Sequence, residues 1–155
     1  MKVMQFVLWN NHQREWSKIR IIAPFNFLVL LPTKKRISSK IVGFGNPGLF
    51  GSLLGKGFQL YIDGTFKIVP DPFYQCLIIM SFNKTLGVYV PMVYILMTAK
   101  THWLYWHALH WVVVATKFRL DPFLVTCNFD KPSHNAVREQ FKHVLLNGCL
   151  FHWKQ

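Results

Sequence analysis

The sequence predicts an α+β (α/β) domain built on a mixed sheet, and three observations lead to this fold class. Three β-rich runs follow one another between residues 58 and 97 with short connections. Two segments with helical periodicity come next, and a short apolar strand pattern lies between them. A chain of 155 residues that is 52% hydrophobic is long enough for one domain with a buried core.

The first three strands are predicted from composition and periodicity. Phe58 to Val69 is rich in Tyr, Ile, Phe and Val. Phe73 to Phe82 is a nearly continuous apolar run, which is typical of a strand covered on both faces. Residues 83–87 are a turn signal, and Val88 to Met97 is the third strand. Pro91 cannot donate a ladder hydrogen bond, so an edge or bulged position is expected there. Together the runs predict an antiparallel meander.

A helix and a fourth strand are predicted next. Thr101 can cap a helix that runs to about Lys117, because the apolar residues after it recur at helical spacing. Phe123 to Asn128 is a short buried-strand pattern.

The last part of the chain predicts a second helix and the start of another strand. Ser133 can cap this helix, and apolar residues after it share one face. These residues are Val137, Phe141, Val144 and Leu145. The pair Asn147-Gly148 predicts the helix stop, and Cys149 to Trp153 predicts a strand.

The resulting order, β-β-β-α-β-α-β, matches a ribonuclease H-like fold that is incomplete at its C-terminus. In that fold the first strand lies beside the fourth. An acid on the first strand and an acid that ends the fourth strand therefore come within reach of shared metal ions.

The chain is expected to divide near residue 40, into a poorly defined segment 1–40 and a domain 41–155. Residues 34–40 are basic and polar, which predicts a solvated loop or a phosphate-facing patch. Ile19 to Leu31 is interpreted as a buried strand pair or a non-native leader. It is shorter than the roughly 20 residues of a membrane-spanning helix, so no membrane span is expected.

Glycine recurs between Gly43 and Gly57. The segment has neither a Walker pattern nor the strand–GxGxxG–helix context of a dinucleotide site. It therefore predicts an irregular connection, with a short helix at Leu49 to Leu54.

Charge and cysteine content indicate the class of partner and the compartment. The chain has 18 Lys and Arg residues against six acids, a net charge of +12, which favours phosphate backbones or anionic lipid heads as partners. Its three cysteines are widely spaced and odd in number, which favours a reducing compartment.

The acids are few, and Asp63 is the one that a strand pattern surrounds with apolar residues. An unpaired carboxylate is costly in such a place unless a cation or hydrogen bonds stabilise it. Two interpretations stay open from the residues alone. Asp63-Gly64 can be an ordinary type I′ turn, or Asp63 can be a site residue on the strand.

Four segments, in order within residues 41–155, carry a family resemblance. They are YIDGTFKIVPDPFYQCLII (Tyr61 to Ile79), VPMVYILMTAKT (Val90 to Thr101), FLVTCNFDKPSHNAVREQF (Phe123 to Phe141) and GCLFHWKQ (Gly148 to Gln155). This set resembles the catalytic core of the MULE (Mutator-like element) transposases. The resemblance implies a nuclear protein, with DNA and further copies of the chain as partners. It also implies DNA transposition by two-metal chemistry, with Mg²⁺ held by three carboxylates.

The resemblance assigns roles to residues of this chain. Asp63 matches the first carboxylate and metal ligand, and Asn128 stands where the second acid is expected. Asp130 lies two positions later and can substitute in part if the strand continues. The third acid of the family follows a helical insertion beyond the Cys-x-x-His motif, Cys149 and His152 here, and the chain stops before it. That motif supplies two of the four ligands that zinc takes, or it is structural.

Three hypotheses follow. The first is a transposase-derived protein with little or no strand-transfer activity. The second is a domesticated DNA- or protein-binding module without a metal site. The third is a fragment that does not fold on its own.

Overall fold

A computed structural model describes residues 6–10, 15–19, 26–31, 39–45, 47–50, 55–66 and 69–149. These residues form eleven strands and three helices. The strands are β1 Phe6–Asn10, β2 Glu15–Ile19, β3 Asn26–Leu31, β4 Ser39–Gly45, β5 Gly55–Lys56, β6 Gln59–Thr65, β7 Gln75–Asn83, β8 Val88–Met97, β9 Leu120–Asp121, β10 Leu124–Cys127 and β11 Leu145–Gly148. The helices are α1 Pro47–Phe50, α2 His102–Ala115 and α3 Lys131–Gln140.

Seven of these strands form one mixed sheet in the order β11-β10-β6-β7-β8-β4-β3. Strand β10 is parallel to both β6 and β11. The pairs β6–β7, β7–β8, β8–β4 and β4–β3 are antiparallel. Two further two-stranded sheets are β1–β2 and β5–β9. The predicted α+β class is thus confirmed at the level of a mixed sheet with helices.

The meander and the two elements after it lie close to their predicted positions. The three β-rich runs become β6, β7 and β8, the first long helix is α2, and the next strand is β10. The predicted cap of α2 is confirmed, because the Thr101 hydroxyl accepts a hydrogen bond from the backbone N–H of Leu104 at 3.3 Å.

Helices α2 and α3 pack against each other and against one face of the sheet. Alternate side chains of the strands point to this face, and they are almost completely buried. Leu60 of β6, Ile79 of β7, Ile95 of β8 and Leu104 of α2 are each 0% exposed in the same core. Burial of this apolar surface is the main stabilising term of the fold. The other face of the sheet carries half-exposed side chains.

Pro91 lies at an irregularity of the ladder, as predicted. The register between β7 and β8 shifts next to the Met80–Pro91 pair. Strand β8 is nevertheless not an edge strand, because β4 pairs with it from Val93 to Met97. That pairing starts beyond the proline, so the missing N–H costs no hydrogen bond to β4.

The prediction for the second helix was wrong at both ends. Asp130, not Ser133, is the N-cap residue, and the helix ends at Gln140. Asn147 and Gly148, interpreted as the helix stop, lie in β11 and pair with β10. The apolar residues just before them also suit a short strand, so helical spacing could not separate the two structures.

The prediction of an irregular glycine-rich connection was also wrong for the first residues of that segment. Residues 43–45 belong to β4, and the short helix is Pro47–Phe50 rather than Leu49 to Leu54. Residues 51–54 lie outside the described residues. Glycine weakens the strand pattern of β4, yet Gly43 is buried and pairs with Ile95 of β8.

The segment before residue 40 contributes strands. Ile19 to Leu31 contains the end of β2 and the whole of β3, which pair with β1 and β4 respectively. The basic stretch 34–40 ends inside β4, and residues 34–38 lie outside the described residues. No described helix has both the length and the apolar composition to cross a membrane.

Candidate functional site at the carboxyl edge of the parallel strands

The carboxyl ends of β6, β10 and β11 lie at one edge of the sheet, because these three neighbours are parallel. The last pairs of β10 join Cys127 to Ile62 on one side and to Gly148 on the other. Asp63 directly follows Ile62, and Asn128 directly follows Cys127, so both come one residue after the Ile62–Cys127 pair. Ligands of open α/β sheets bind outside the carboxyl ends of the strands, so this carboxyl edge is the candidate site.

Asp63 lies within β6, where it pairs with Ile78 of β7. The interpretation of Asp63-Gly64 as a type I′ turn is therefore wrong. Side chains alternate along a strand, and the buried Ile62 belongs to the core that the helices cover. The half-buried Asp63 side chain therefore lies on the opposite face of the sheet from α2 and α3.

The Asn128 amide lies on the helix-packed side. A β-carbon on Gly64 would be 3.5 Å from Nδ2 of Asn128. Oδ1 of Asn128 is buried and accepts no hydrogen bond from any described residue. Asp63 and Asn128 are therefore neighbours by register, yet their side chains lie on different sides of β6.

One carboxylate oxygen of Asp130 has a structural role, and the other, Oδ1, is buried without a hydrogen-bond partner among the described residues. Its Oδ2 accepts a hydrogen bond from the backbone N–H of Ser133 at 3.4 Å, which caps α3. Strand β10 ends at Cys127, so residues 128 and 130 do not share a strand face. Asp130 was expected to substitute for the second acid only if the strand continued to residue 130. The strand does not continue, so this alternative has no geometric basis.

The donor set around Asp63 does not fit a pair of Mg²⁺ ions. Magnesium prefers charged oxygen ligands in near-octahedral geometry. The side chain at position 128 is a neutral amide next to Gly64 on the helix-packed side of β6, and Oδ2 of Asp130 caps a helix. These residues therefore do not support a metal-dependent step.

A buried polar pair lies behind the edge, and no sequence motif indicated it. Gln75 is 0% exposed, and its Oε1 accepts a hydrogen bond from the Tyr105 hydroxyl at 3.2 Å. Its Nε2 lies 3.5 Å from Sδ of Met97. Burial raises the pKa of Tyr105, and the nearby Asp130 carboxylate adds to that rise. The one signal in the sequence is a glutamine inside the apolar run from Phe73 to Phe82.

Glycine at position 64 lets these groups approach one another. A β-carbon there would lie 3.2 Å from Oε1 of Gln75 and 3.8 Å from Cζ of Phe66. Both contacts, with that to Asn128, lie on the helix-packed side of β6. Gly64 is thus the point at which Gln75, Asn128 and Phe66 meet.

Two cysteines flank the end of β10. Ser133 Oγ lies 3.9 Å from Sγ of Cys127, and the backbone N–H of Cys149 donates to the Cys127 carbonyl at 2.9 Å. Burial raises the pKa of the Cys127 thiol to about 11, while the Ser133 hydrogen bond opposes that shift. Cys149 lies just past β11, and its motif partner His152 lies outside the described residues.

An aromatic group forms part of the rim of the edge. The rings of Phe66 and Tyr74 meet edge to face at 5.6 Å, and Nζ of Lys100 lies 4.9 Å from the Phe66 centroid. Sequence reasoning missed this group, because its members come from three separate connections. We call Phe66, Tyr74 and Lys100 the edge cluster.

No family model matches the chain, and no curated protein matches it at a significant level.

Proposed function

We propose that residues 41–155 form a DNA-binding domain that descends from a MULE-type transposase and has lost metal-dependent strand cleavage. The observation that carries the proposal is the order β8-β7-β6-β10-β11, in which β6 is parallel to β10. A ribonuclease H-like fold requires the first strand of the meander to lie beside the fourth. Strands β6 and β10 have that relationship, and the sequence motifs of the family fall on them.

The charge of the chain supports DNA as the partner. Eighteen Lys and Arg residues face only six acids. Lysine and arginine that neutralise phosphates release counterions, so such binding weakens steeply as salt increases. In this proposal the ancestral activity was DNA transposition, and the retained activity is binding without cutting.

The loss of chemistry is inferred from the residues at the carboxyl edge. Asp63 keeps the position of the first acid, but Asn128 lies across β6 from it and carries no charge. Asp130 caps α3. A two-metal mechanism needs several carboxylates around one point to hold the ions, and these side chains do not supply them.

The test uses the purified full chain and a labelled blunt DNA duplex. We expect binding that falls by at least about tenfold between roughly 50 and 200 mM salt and that EDTA leaves unchanged. No binding at low salt would overturn the DNA-binding part of the proposal. Mg²⁺-dependent nicking that Asp63→Ala abolishes would overturn the loss of catalysis.

A protein-binding module is the second candidate, and the open face of the sheet favours it. Aromatic side chains are exposed on this face: Phe44 is 39% exposed, Tyr94 42% and Tyr89 53%. Exposed apolar patches of this kind often mark protein interaction sites. Sedimentation at increasing protein concentration, carried out at low and at high salt, separates the candidates. Self-association through this apolar face would persist at high salt, whereas DNA binding would weaken.

A further inference from the structure

The edge cluster combines exposed aromatic surface with a cation. Phe66 is 39% exposed and Tyr74 is 54% exposed. Their edge-to-face contact leaves the Tyr74 ring accessible beside Phe66. Lys100 lies over the Phe66 ring, so its ammonium group is held within the cluster. None of the three belongs to the buried hydrophobic core.

The backbone holds the cluster in place. The N–H of Tyr74 donates to the Met97 carbonyl at 2.8 Å, which fixes Tyr74 to the end of β8. Phe66 directly follows β6, and its ring lies close to Gly64. Lys100 precedes the N-cap of α2. The three side chains therefore come from the ends of rigid elements, and little ordering is needed before they bind a ligand.

The electrostatics of the cluster suit an anion. No described carboxylate lies within ion-pair distance of Lys100. The first turn of α2 contains no acidic residue of its own, and the positive end of that helix adds to the Lys100 charge. The Glu139 carboxylate of α3 lies 3.1 Å from Nε2 of His102 in that turn, so it acts on the histidine rather than on Lys100. Single-stranded nucleic acids are bound where aromatic faces that stack on bases lie beside cations that contact phosphates.

We propose that the edge cluster binds one unpaired nucleotide of a DNA strand. The base stacks on Tyr74 against the wall that Phe66 provides, and Lys100 contacts the adjacent phosphate. Stacking needs a base whose face is free, so the site selects frayed or single-stranded DNA over a closed duplex. This inference rests on the proposed DNA binding and adds the form of DNA that the carboxyl edge takes.

The experiment compares three labelled ligands on the full chain: a blunt duplex, the duplex with a short single-stranded overhang, and the same overhang with abasic sites. We expect the overhang to bind about tenfold more tightly than its abasic copy, a typical gain for one stacked base. Tyr74→Ala should remove that ratio, and Tyr74→Phe should keep it. Lys100→Gln should weaken both overhangs equally, because both carry the phosphate.

Tyr89→Ala is the matched control, since Tyr89 is 53% exposed and lies near the start of β8, away from the carboxyl edge. It should leave the ratio unchanged. If Tyr74→Ala keeps the preference for the overhang with bases, the edge cluster is not the stacking site. If no ligand binds at low salt, it is the proposed DNA binding that fails. Binding that ignores the presence of bases overturns this inference alone.

Discussion

The ring of Phe129 lies where a β-carbon on Gly148 would be. Such a carbon would overlap Cε1 and Cζ of that ring and would come within 2.8 Å of Cε2. Phe129 follows β10, and Gly148 ends the neighbouring β11. Glycine at this position thus lets the loop after β10 fold over the next strand, and this loop carries Asn128 and Asp130.

We predict that Gly148→Ala destabilises the fold by about 1–3 kcal/mol, because the Phe129 ring must move away from a new methyl group. Urea unfolding measures the change. The control is a double-mutant cycle with Phe129→Ala, in which removal of the ring should cancel much of the cost. Additive effects of the two changes would show that the ring and Gly148 are not coupled.

We predict that Tyr105→Phe destabilises the fold by about 1–3 kcal/mol, because it leaves a buried acceptor without its donor. Oε1 of Gln75 accepts from that hydroxyl at 3.2 Å, and both residues are almost completely buried. Adding Gln75→Leu removes the other partner and should recover part of the loss. The interpretation fails if the double variant unfolds at lower urea concentration than Tyr105→Phe.

The sequence predicted the elements whose patterns had one solution. Strands β7 and β8 and helix α2 follow long runs with clear patterns, and Thr101 marks the helix start. Strand β6 was also predicted as a β-rich run, but Asp63-Gly64 within it suited a turn as well. The segment near Val144 was ambiguous, because a few apolar residues before Asn147-Gly148 suit a helix end as well as a short strand. Pairing with β10 decides in favour of the strand, and pairing partners are not visible in local sequence.

The candidate site was predictable in position but not in orientation. The motif placed Asp63 and Asn128 on two strands that are neighbours in the sheet, β6 and β10, although β10 ends one residue before Asn128. The side of the sheet on which the Asn128 amide lies depends on its contact with Gly64 and on the residue at which β10 ends. Both are set by tertiary structure and not by local sequence. The edge cluster and the Gln75–Tyr105 pair join residues far apart in sequence, so no local pattern could indicate them.

We predict that stability falls as pH rises from 9 to 11, partly through Cys127. The pKa of its thiol is raised from 9.0 to about 11, so the fold favours the neutral thiol. The resulting stabilisation is complete below the unfolded pKa and is lost as pH passes through the folded value. Thermal melts of Cys127→Ala should depend less on pH in this window.

Thr126→Ala controls for a truncation in the same strand, because threonine does not titrate in that pH range. Tyr105, whose pKa is also raised by burial, contributes to the same decline at the upper end and remains in both variants. Equal pH slopes for the wild type and Cys127→Ala would exclude Cys127 as a source of the effect.

We predict that Asn128→Asp does not create Mg²⁺-dependent cleavage and that it destabilises the fold. The side chain at position 128 lies on the helix-packed side of β6, next to Gly64 and across the strand from Asp63. A carboxylate there would be partly buried near Asp130, and two like charges in such a place are unfavourable. A second acid on the wrong side of β6 also leaves Asp63 without a second carboxylate around a shared ion.

Nicking of a supercoiled plasmid with Mg²⁺ tests the prediction for cleavage, and thermal melting tests the prediction for stability. Asn135→Asp, on the exposed side of α3, is the matched control. Cleavage by Asn128→Asp that also requires Asp63 would show that the two side chains do converge on a metal site.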